Sequence, residues 1–306
     1  MTVSVVIVSW NTQNLLRNCL LTVEKEARLF KDGGVEIFVV DNGSTDGTVQ
    51  MLRKSFPSVT LIANSENAGF AAANNQALAR CRGDYVLLLN PDTELKAQAL
   101  TRMVRFLKSR LYVGAVGPLL INPDGSMQQS CYPRPTLFRE LWRLLHLDRL
   151  HRLAVYPMTN WTLDRPRQVE TVQGACILIK RSVFDEIGFL DQDFFIYTEE
   201  IDLCRRIIAA GWRIYWLPVA AVVHHGGQST RQAAGRMFIE LYRSKLRYFR
   251  KHYGRVGGFV YKLILLTCII PRLVLAPLAW ALAYQREKML SIMRLYRMLL
   301  FELRSL

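Results

Sequence analysis

Four short clusters in this 306-residue chain carry side chains able to do chemistry. Asn90-Pro91-Asp92 directly follows the apolar run Tyr85 to Leu89, which puts a carboxylate at a strand end. One Asp there, with water and two phosphate oxygens, suffices to hold Mg²⁺ or Mn²⁺. The same tripeptide also serves as a plain turn and helix cap, and nothing local separates the two uses. Asp41-Asn42-Gly43-Ser44 follows a second strand-like run, and its Asp41 suits a pyrimidine base or a ribose, or equally a capped β-to-α turn. Ser65 to Phe70 is a third loop of this kind: Asn67 has the donors and acceptors to read a base, and Gly69 permits close backbone approach. An ordinary turn has the same composition.

Glu199-Glu200-Ile201-Asp202 follows the aromatic run Phe194-Phe195-Ile196-Tyr197. Three carboxylates beside an apolar segment raise at least one pKa through desolvation and mutual repulsion, the environment of a general base. A solvated first helical turn, whose dipole favours acids, would look the same. His224-His225-Gly226-Gly227 closes a Val-rich run, where one imidazole suits the metal shell opened by Asp92, or a plain surface role.

The elements that position these clusters alternate. Val3 to Trp10 is a β-branched run of the kind buried on both faces, Gln13 to Arg28 reads as a helix, and Val35 to Val40, Val59 to Ala63 and Tyr85 to Leu89 repeat the strand signal, with a helix at Ala71 to Ala79. Strand, turn, helix at this spacing predicts an α/β fold: a doubly wound, mostly parallel, Rossmann-like sheet binding ligands at the carboxyl ends of its strands, where Asp41 and Asp92 stand. Gly114 to Pro166, with Pro118, Pro123, Pro133 and Pro135, reads as loops and short elements over the sheet edge. Regular character returns at Thr171 to Lys180, with helices near Arg181 to Ile187 and Leu203 to Ala210 and a strand at Arg213 to Leu217.

The formal charge of +15, from 40 Lys and Arg against 25 Asp and Glu, implies an anionic partner: nucleic acid, anionic lipid or a phosphorylated substrate. Six scattered cysteines with no CxxC pair argue against a zinc site and a disulfide framework and fit a reducing compartment. MTVSVVIVSWN lacks a basic leader and reads as a first strand rather than a signal peptide. After Gln228 a basic amphipathic stretch leads into Gly258 to Tyr284, which approaches the ~20 apolar residues of a spanning helix but is interrupted by Lys262, Pro271-Arg272 and Pro277. A further basic helix runs from Gln285 to Arg304. Apolar content from 258 to 284 favours lipid over nucleic acid, and no RNA or DNA fold motif accompanies the basic run.

VSVVIVSWN, VVDNGSTDGT, ENAGFAAANNQAL, DYVLLLNPDT, GACILIKRSVFDEIGFLD, FFIYTEEIDLCRR and HHGG, in this order, resemble family 2 glycosyltransferases of the GT-A fold over about residues 3 to 230. Asn122 to Thr136, NPDGSMQQSCYPRPT, is similar to the bacterial rhamnosyltransferase branch that builds cell-surface polysaccharides. The resemblance implies a catalytic domain over 1–230, with nucleotide-sugar binding mainly in 1–120 and acceptor binding and catalysis mainly in 121–230, then a helical membrane-associating tail over 231–306. It implies donor contacts at Ser9, Asn11, Asp41, Asn67, Gly69, Asn74 and Asn90, and acceptor contacts at Gly174, Ala175 and Asp202. The family's catalytic base, usually Asp, falls on Glu200 with Glu199 beside it; its metal ligands fall on Asp92 and on His224, in an H-x-G-G-x-S pattern ending at Ser229.

The implied activity is an inverting transfer, dependent on Mg²⁺ or Mn²⁺, from a nucleotide sugar such as dTDP-rhamnose to a lipid-linked or polysaccharide acceptor. The implied setting is an anionic membrane surface at the cytoplasmic face of the bacterial inner membrane. A member that has lost catalysis and serves as an assembly partner is the alternative that Glu at the base position keeps open.

Overall fold

The computed structural model describes residues 1–227, 234–282 and 286–305. The N-terminal β-branched run forms strand β1 (Thr2–Ser9), followed by α1 (Gln13–Leu29), β2 (Gly34–Asn42), α2 (Thr48–Ser55), β3 (Thr60–Asn64), α3 (Phe70–Leu78) and β4 (Tyr85–Leu89). These strands lie in the parallel order β3-β2-β1-β4, and both faces of β1 are covered. Val3, Val5 and Ile7 join a core with Leu16, Leu20 and Val23 of α1, whose i, i+4, i+7 spacing makes one helical face. Val6 and Val8 pack on the other side with Ala71, Ala73 and Ala77 of α3. Each Val, Leu or Ile side chain among them contributes about 1.5–3 kcal/mol on leaving water.

The chain continues through β5 (Thr93–Leu95), α4 (Ala99–Lys108), β6 (Val113–Ile121), β7 (Cys131–Tyr132), α5 (Leu137–Leu144), β8 (Arg167–Val169), β9 (Thr171–Val172), β10 (Cys176–Lys180), α6 (Arg181–Ile187), α7 (Glu199–Ala209) and β11 (Arg213–His224). The large sheet extends as β4-β10-β6-β11-β5, with β8 also on β11. Strands β1 to β4, β6 and β11 share one direction, while β10, β5 and β8 oppose it.

The expectation of loops over the sheet edge from Gly114 is overturned, because β6 is an interior strand with eight of its nine residues buried. Gly114, Gly117 and Pro118 hide the strand pattern in the sequence. Gly117 lies where a Cβ would come within 2.9 Å of Val172, and the β11 register slips between Leu217 and Ala221, alongside Pro118, which has no N–H to donate. The strand expected over Arg213 to Leu217 and the Val-rich run before His224 are one strand, which pairs His224 with Thr93 of β5. Helix α4 has no counterpart among the expected elements; the Glu26 carboxylate accepts from the amides of Gln98 and Leu100 at its start.

The chain divides into two compact units: Met1–Arg134 with Val155–Phe195 and Glu199–Arg231, and Pro135–Ala154 with Ile196–Thr198 and Gln232–Leu306. The second unit therefore takes in α5, which the expected boundary at 230/231 assigned to the catalytic part; that boundary and Ser229 lie outside the described residues. Within this unit α8 (Ala234–Leu282) bends at Gly254, where φ is 71°, and α9 (Arg286–Ser305) follows. Glu140 of α5 accepts from Lys245 Nζ at 2.8 Å and Arg143 Nη2 at 2.8 Å. Contrary to the expected interruption, α8 runs through Pro271-Arg272, and the Arg272 guanidinium donates to the Tyr296 hydroxyl and the Leu144 carbonyl. Among the described residues one helix, Ala234–Leu275, is long and apolar enough to cross a membrane.

Candidate active site

The carboxyl ends of β1 and β2 form a polar floor. Asp41 is buried, one carboxylate oxygen accepting from the Ser44 amide at 3.0 Å and the other, Oδ1, left without a hydrogen-bond partner. A buried acceptor in that condition needs a donor from a ligand or water. Asn11, at φ 51°, donates its backbone N–H to the Ser44 hydroxyl oxygen and accepts the Thr45 amide on Oδ1 at 2.8 Å, which pins the β1 loop to the β2 turn. Ser9 is fully buried with its hydroxyl 2.9 Å from that of Thr12.

The loop before α3 closes on the same floor. Asn67 Oδ1 accepts from the Asn42 amide at 2.9 Å and from the Gly69 N–H at 3.0 Å. At Gly69, φ is +89° and a Cβ would lie 2.7 Å from the Phe195 ring and 2.9 Å from its carbonyl oxygen, so no side chain fits. Asn74, buried in α3, returns its amide to the Phe70 carbonyl, which leaves it positioning the helix start.

Asn90 and Asp92 follow β4. The Asn90 amide donates to the Ala175 carbonyl at 2.9 Å, and its side-chain Oδ1 is buried without a partner. The β5–β11 pairing brings in His224, whose Nε2 lies 3.5 Å from Asp92 Oδ1, both side chains over nine-tenths buried. That separation exceeds an ordinary hydrogen bond, and the two facing atoms are donors that Mg²⁺ and Mn²⁺ accept, so the residues fit a divalent cation. The other ring nitrogen, Nδ1, is 2.7 Å from Gln128 Oε1. His225 points elsewhere and pairs with Glu94 at 2.9 Å. Among the described residues no three His, Cys, Asp or Glu side chains gather into a larger metal cluster.

The acidic cluster opens α7, where the helix N-terminus favours acids, but it is not a solvated turn. Glu199 is buried, and burial first, then the neighbouring Glu200, pushes its carboxyl well above the ordinary value. Two left-handed residues, Tyr197 at φ 67° and Thr198 at φ 72°, immediately precede it, a strained approach of the kind found at functional positions. Glu200 is partly exposed and passes against Gly174, where a Cβ would sit 3.2 Å from that of Glu200. Asp202 departs from its expected acceptor role: fully buried, it ion-pairs with Arg206 at 2.8 Å, which donates onward to the carbonyls of Ile187 and Phe189. With no surface to offer an acceptor, Asp202 ties α7 to the end of α6.

Asn90 thus joins the Asp92–His224 pair to Ala175, and Gly174 joins that strand start to Glu200. A family model described as "Glycosyl transferase family 2" matches residues 4–188. The chain belongs to this family. The glycosyltransferase is 30% identical over 217 residues to the N-acetylglucosaminyl-diphospho-decaprenol L-rhamnosyltransferase of Mycobacterium tuberculosis, covering 64% of this chain and 68% of the relative. It is 25% identical over 194 residues to the rhamnosyltransferase WbbL of Escherichia coli K12, covering 60% and 70%. A mannosyltransferase from Pyrobaculum calidifontis, solved in complex with GDP-Man and Mn²⁺, superposes with a TM-score of 0.56 at 20% identity over 96% of this chain and 84% of that one. The fold is GT-A.

Three residues of this glycosyltransferase escaped the sequence reading. Asn42 spans the loops with four hydrogen bonds, donating to Asn67 and Gly69 and accepting from Asn64 and Ala68. Asn75 exchanges two bonds with the backbone of Leu190, and Gln128 meets His224. Asn42 stood inside the DNGS turn, and Gln128 inside NPDGSMQQ; partners 22 to 115 residues away were the missing signal.

Proposed function

We propose that this glycosyltransferase moves L-rhamnose from dTDP-rhamnose to a lipid-linked acceptor, with inversion, at the cytoplasmic face of the bacterial inner membrane. The observation carrying the site assignment is the buried Asp92–His224 pair beside Asn90, joined through Ala175 and Gly174 to Glu200. The rhamnose reading is supported by the two rhamnosyltransferase relatives, and the lipid-linked acceptor by the diphospho-decaprenol substrate for which the mycobacterial one is named.

Asp41 Oδ1 takes a donor N–H or O–H from the nucleoside, and the Asn67–Gly69 loop is tied to the adjacent Asn42. Glu200 accepts the proton of the acceptor hydroxyl as that oxygen attacks the anomeric carbon, while the bonding pair to the diphosphate leaves with the nucleotide. Burial and the neighbouring Glu200 push the Glu199 carboxyl upward, which favours its uncharged form and leaves Glu200 the better placed to carry the negative charge. A Mg²⁺ or Mn²⁺ held by Asp92 and His224 supplies charge neutralisation to the departing diphosphate, the imidazole leaning the choice toward Mn²⁺.

The test is a panel of nucleotide sugars incubated with full-length protein and Mn²⁺ or Mg²⁺, scored by thermal stabilisation and nucleoside diphosphate release. Stabilisation and release with dTDP-rhamnose above all others is the expected result. Preference for another donor would overturn the rhamnose assignment, and inertness toward every donor would favour the assembly-partner alternative.

A further inference from the structure

The motif NPDGSMQQ folds into a hairpin that follows β6 and reaches the site through the side-chain amide of Gln128. Asn122 to Gly125 closes a turn with the Gly125 N–H donating to the Asn122 carbonyl at 2.9 Å, and Ser126 is fixed by Asp124 through both its amide and its hydroxyl. The return strand bridges Met127 to Ile121, and the Gln128 amide donates to the Leu120 carbonyl at 2.8 Å. The backbone of Gln128 is therefore held at its own amide and, through the Met127 bridge, just before it.

The orientation of that side chain is set by chemistry. Gln128 Nε2 lies 2.8 Å from Asn122 Oδ1 and 3.3 Å from the His224 carbonyl, two acceptors, so the amide nitrogen belongs there and the carbonyl oxygen faces His224 Nδ1 at 2.7 Å. A carbonyl oxygen at that distance requires Nδ1 to carry the hydrogen. In neutral imidazole the lone pair is then on Nε2, the atom facing Asp92.

We propose that Gln128 is the positioning residue of the metal pair: its side-chain carbonyl holds the Nδ1–H of His224 and so presents the Nε2 lone pair to a cation shared with Asp92. The opposite tautomer would aim an N–H at that cation and abolish ligation. This inference rests on the Asp92–His224 metal assignment for its consequence, while the tautomer stands in the metal-free protein.

The experiment has two readouts on the full chain. Long-range proton–nitrogen correlation spectra of metal-free protein labelled in its five histidines, taken at about pH 8 so that imidazole is neutral, with His224 assigned by loss of its signal in His224→Gln, report the tautomer directly. Titration with Mn²⁺ alone, followed by the electron paramagnetic resonance of free ion, reports affinity. The expected results are an Nδ1–H tautomer in the wild type, a shift toward Nε2–H in Gln128→Leu with Mn²⁺ affinity reduced about tenfold or more, and rescue of both by Gln128→Glu, which restores an acceptor. An Nε2–H tautomer in the wild type overturns the proposal without any variant, as does a folded Gln128→Leu whose tautomer and Mn²⁺ affinity are unchanged. If the tautomer behaves as expected but Asp92→Asn binds Mn²⁺ as the wild type does, the metal assignment is what fails, and the role of Gln128 toward a metal falls with it.

Discussion

At the scale of single residues, adjacent carboxyls in Glu199 and Glu200 have unlike surroundings. Burial and the neighbouring charge push the Glu199 carboxyl upward, whereas the partly exposed Glu200 meets solvent, so the base role is assigned to Glu200. Glu199→Gln, neutral and of equal size, is expected to keep kcat within about tenfold of wild type, because it imitates the form that burial favours at Glu199. Steady-state kinetics check this, and a loss of about 10³-fold or more would transfer the base role to Glu199. Asp202, three positions from Glu199, shows the limit of composition as a guide: the same helical turn holds a buried structural anion that the sequence does not distinguish from a reactive one.

At the scale of elements, the close approach of the Asn67–Gly69 loop to Phe195 sets the donor floor. Gly69→Ala places a methyl 2.7 Å from the ring and 2.9 Å from a backbone oxygen at a positive φ, so the loop must shift. The expected outcome is a donor KM raised about tenfold and a stability loss of about 1–3 kcal/mol, read by kinetics and thermal melting. In the second unit, burial opposes charge on Glu140 but Lys245 and Arg143 outweigh it, bringing the carboxyl down to about 2. A folded value below the unfolded one means that the ionised form stabilises: the contribution is present above about pH 4.3 and is lost as pH falls through the folded value. Glu140→Gln should therefore cost about 3–5 kcal/mol at neutral pH, with the difference from wild type in thermal melts shrinking as pH drops from about 4.5 to 2.

The legible elements were those whose periodicity is local. Strand β4 matched its expected bounds, Tyr85–Leu89, and β1, β2 and α1 fell within two residues of theirs. Strand β6 was hidden because two glycines and a proline sit where the sheet packs tightly and slips register. The candidate-site residues Asp41, Asp92, Glu200 and His224 stood out because each lies at or beside the end of a regular element; Asn42 and Gln128 act through partners far along the chain, which spacing does not show.

At the scale of the molecule, basic and apolar surface lie along the same helix. Arg250, Lys251 and Arg255 are exposed near the bend of α8, and beyond it Val256, Phe259, Leu263, Ile270 and Val274 recur at helical spacing with Phe259 61% and Val274 70% exposed. Such a surface suits an anionic lipid interface. Full-length protein is expected to co-sediment with vesicles containing anionic lipid, and Phe259→Ser with Val274→Ser should weaken binding by about tenfold or more; equal binding of that variant would point to charge alone. The central claim concerns Glu200, and its most direct test is Glu200→Gln in the presence of the preferred donor, acceptor and Mn²⁺. The account predicts kcat reduced about 10²–10⁴-fold with nucleotide affinity unchanged within about twofold, since the base is lost and the Asp92–His224 pair is untouched; turnover equal to wild type would contradict it.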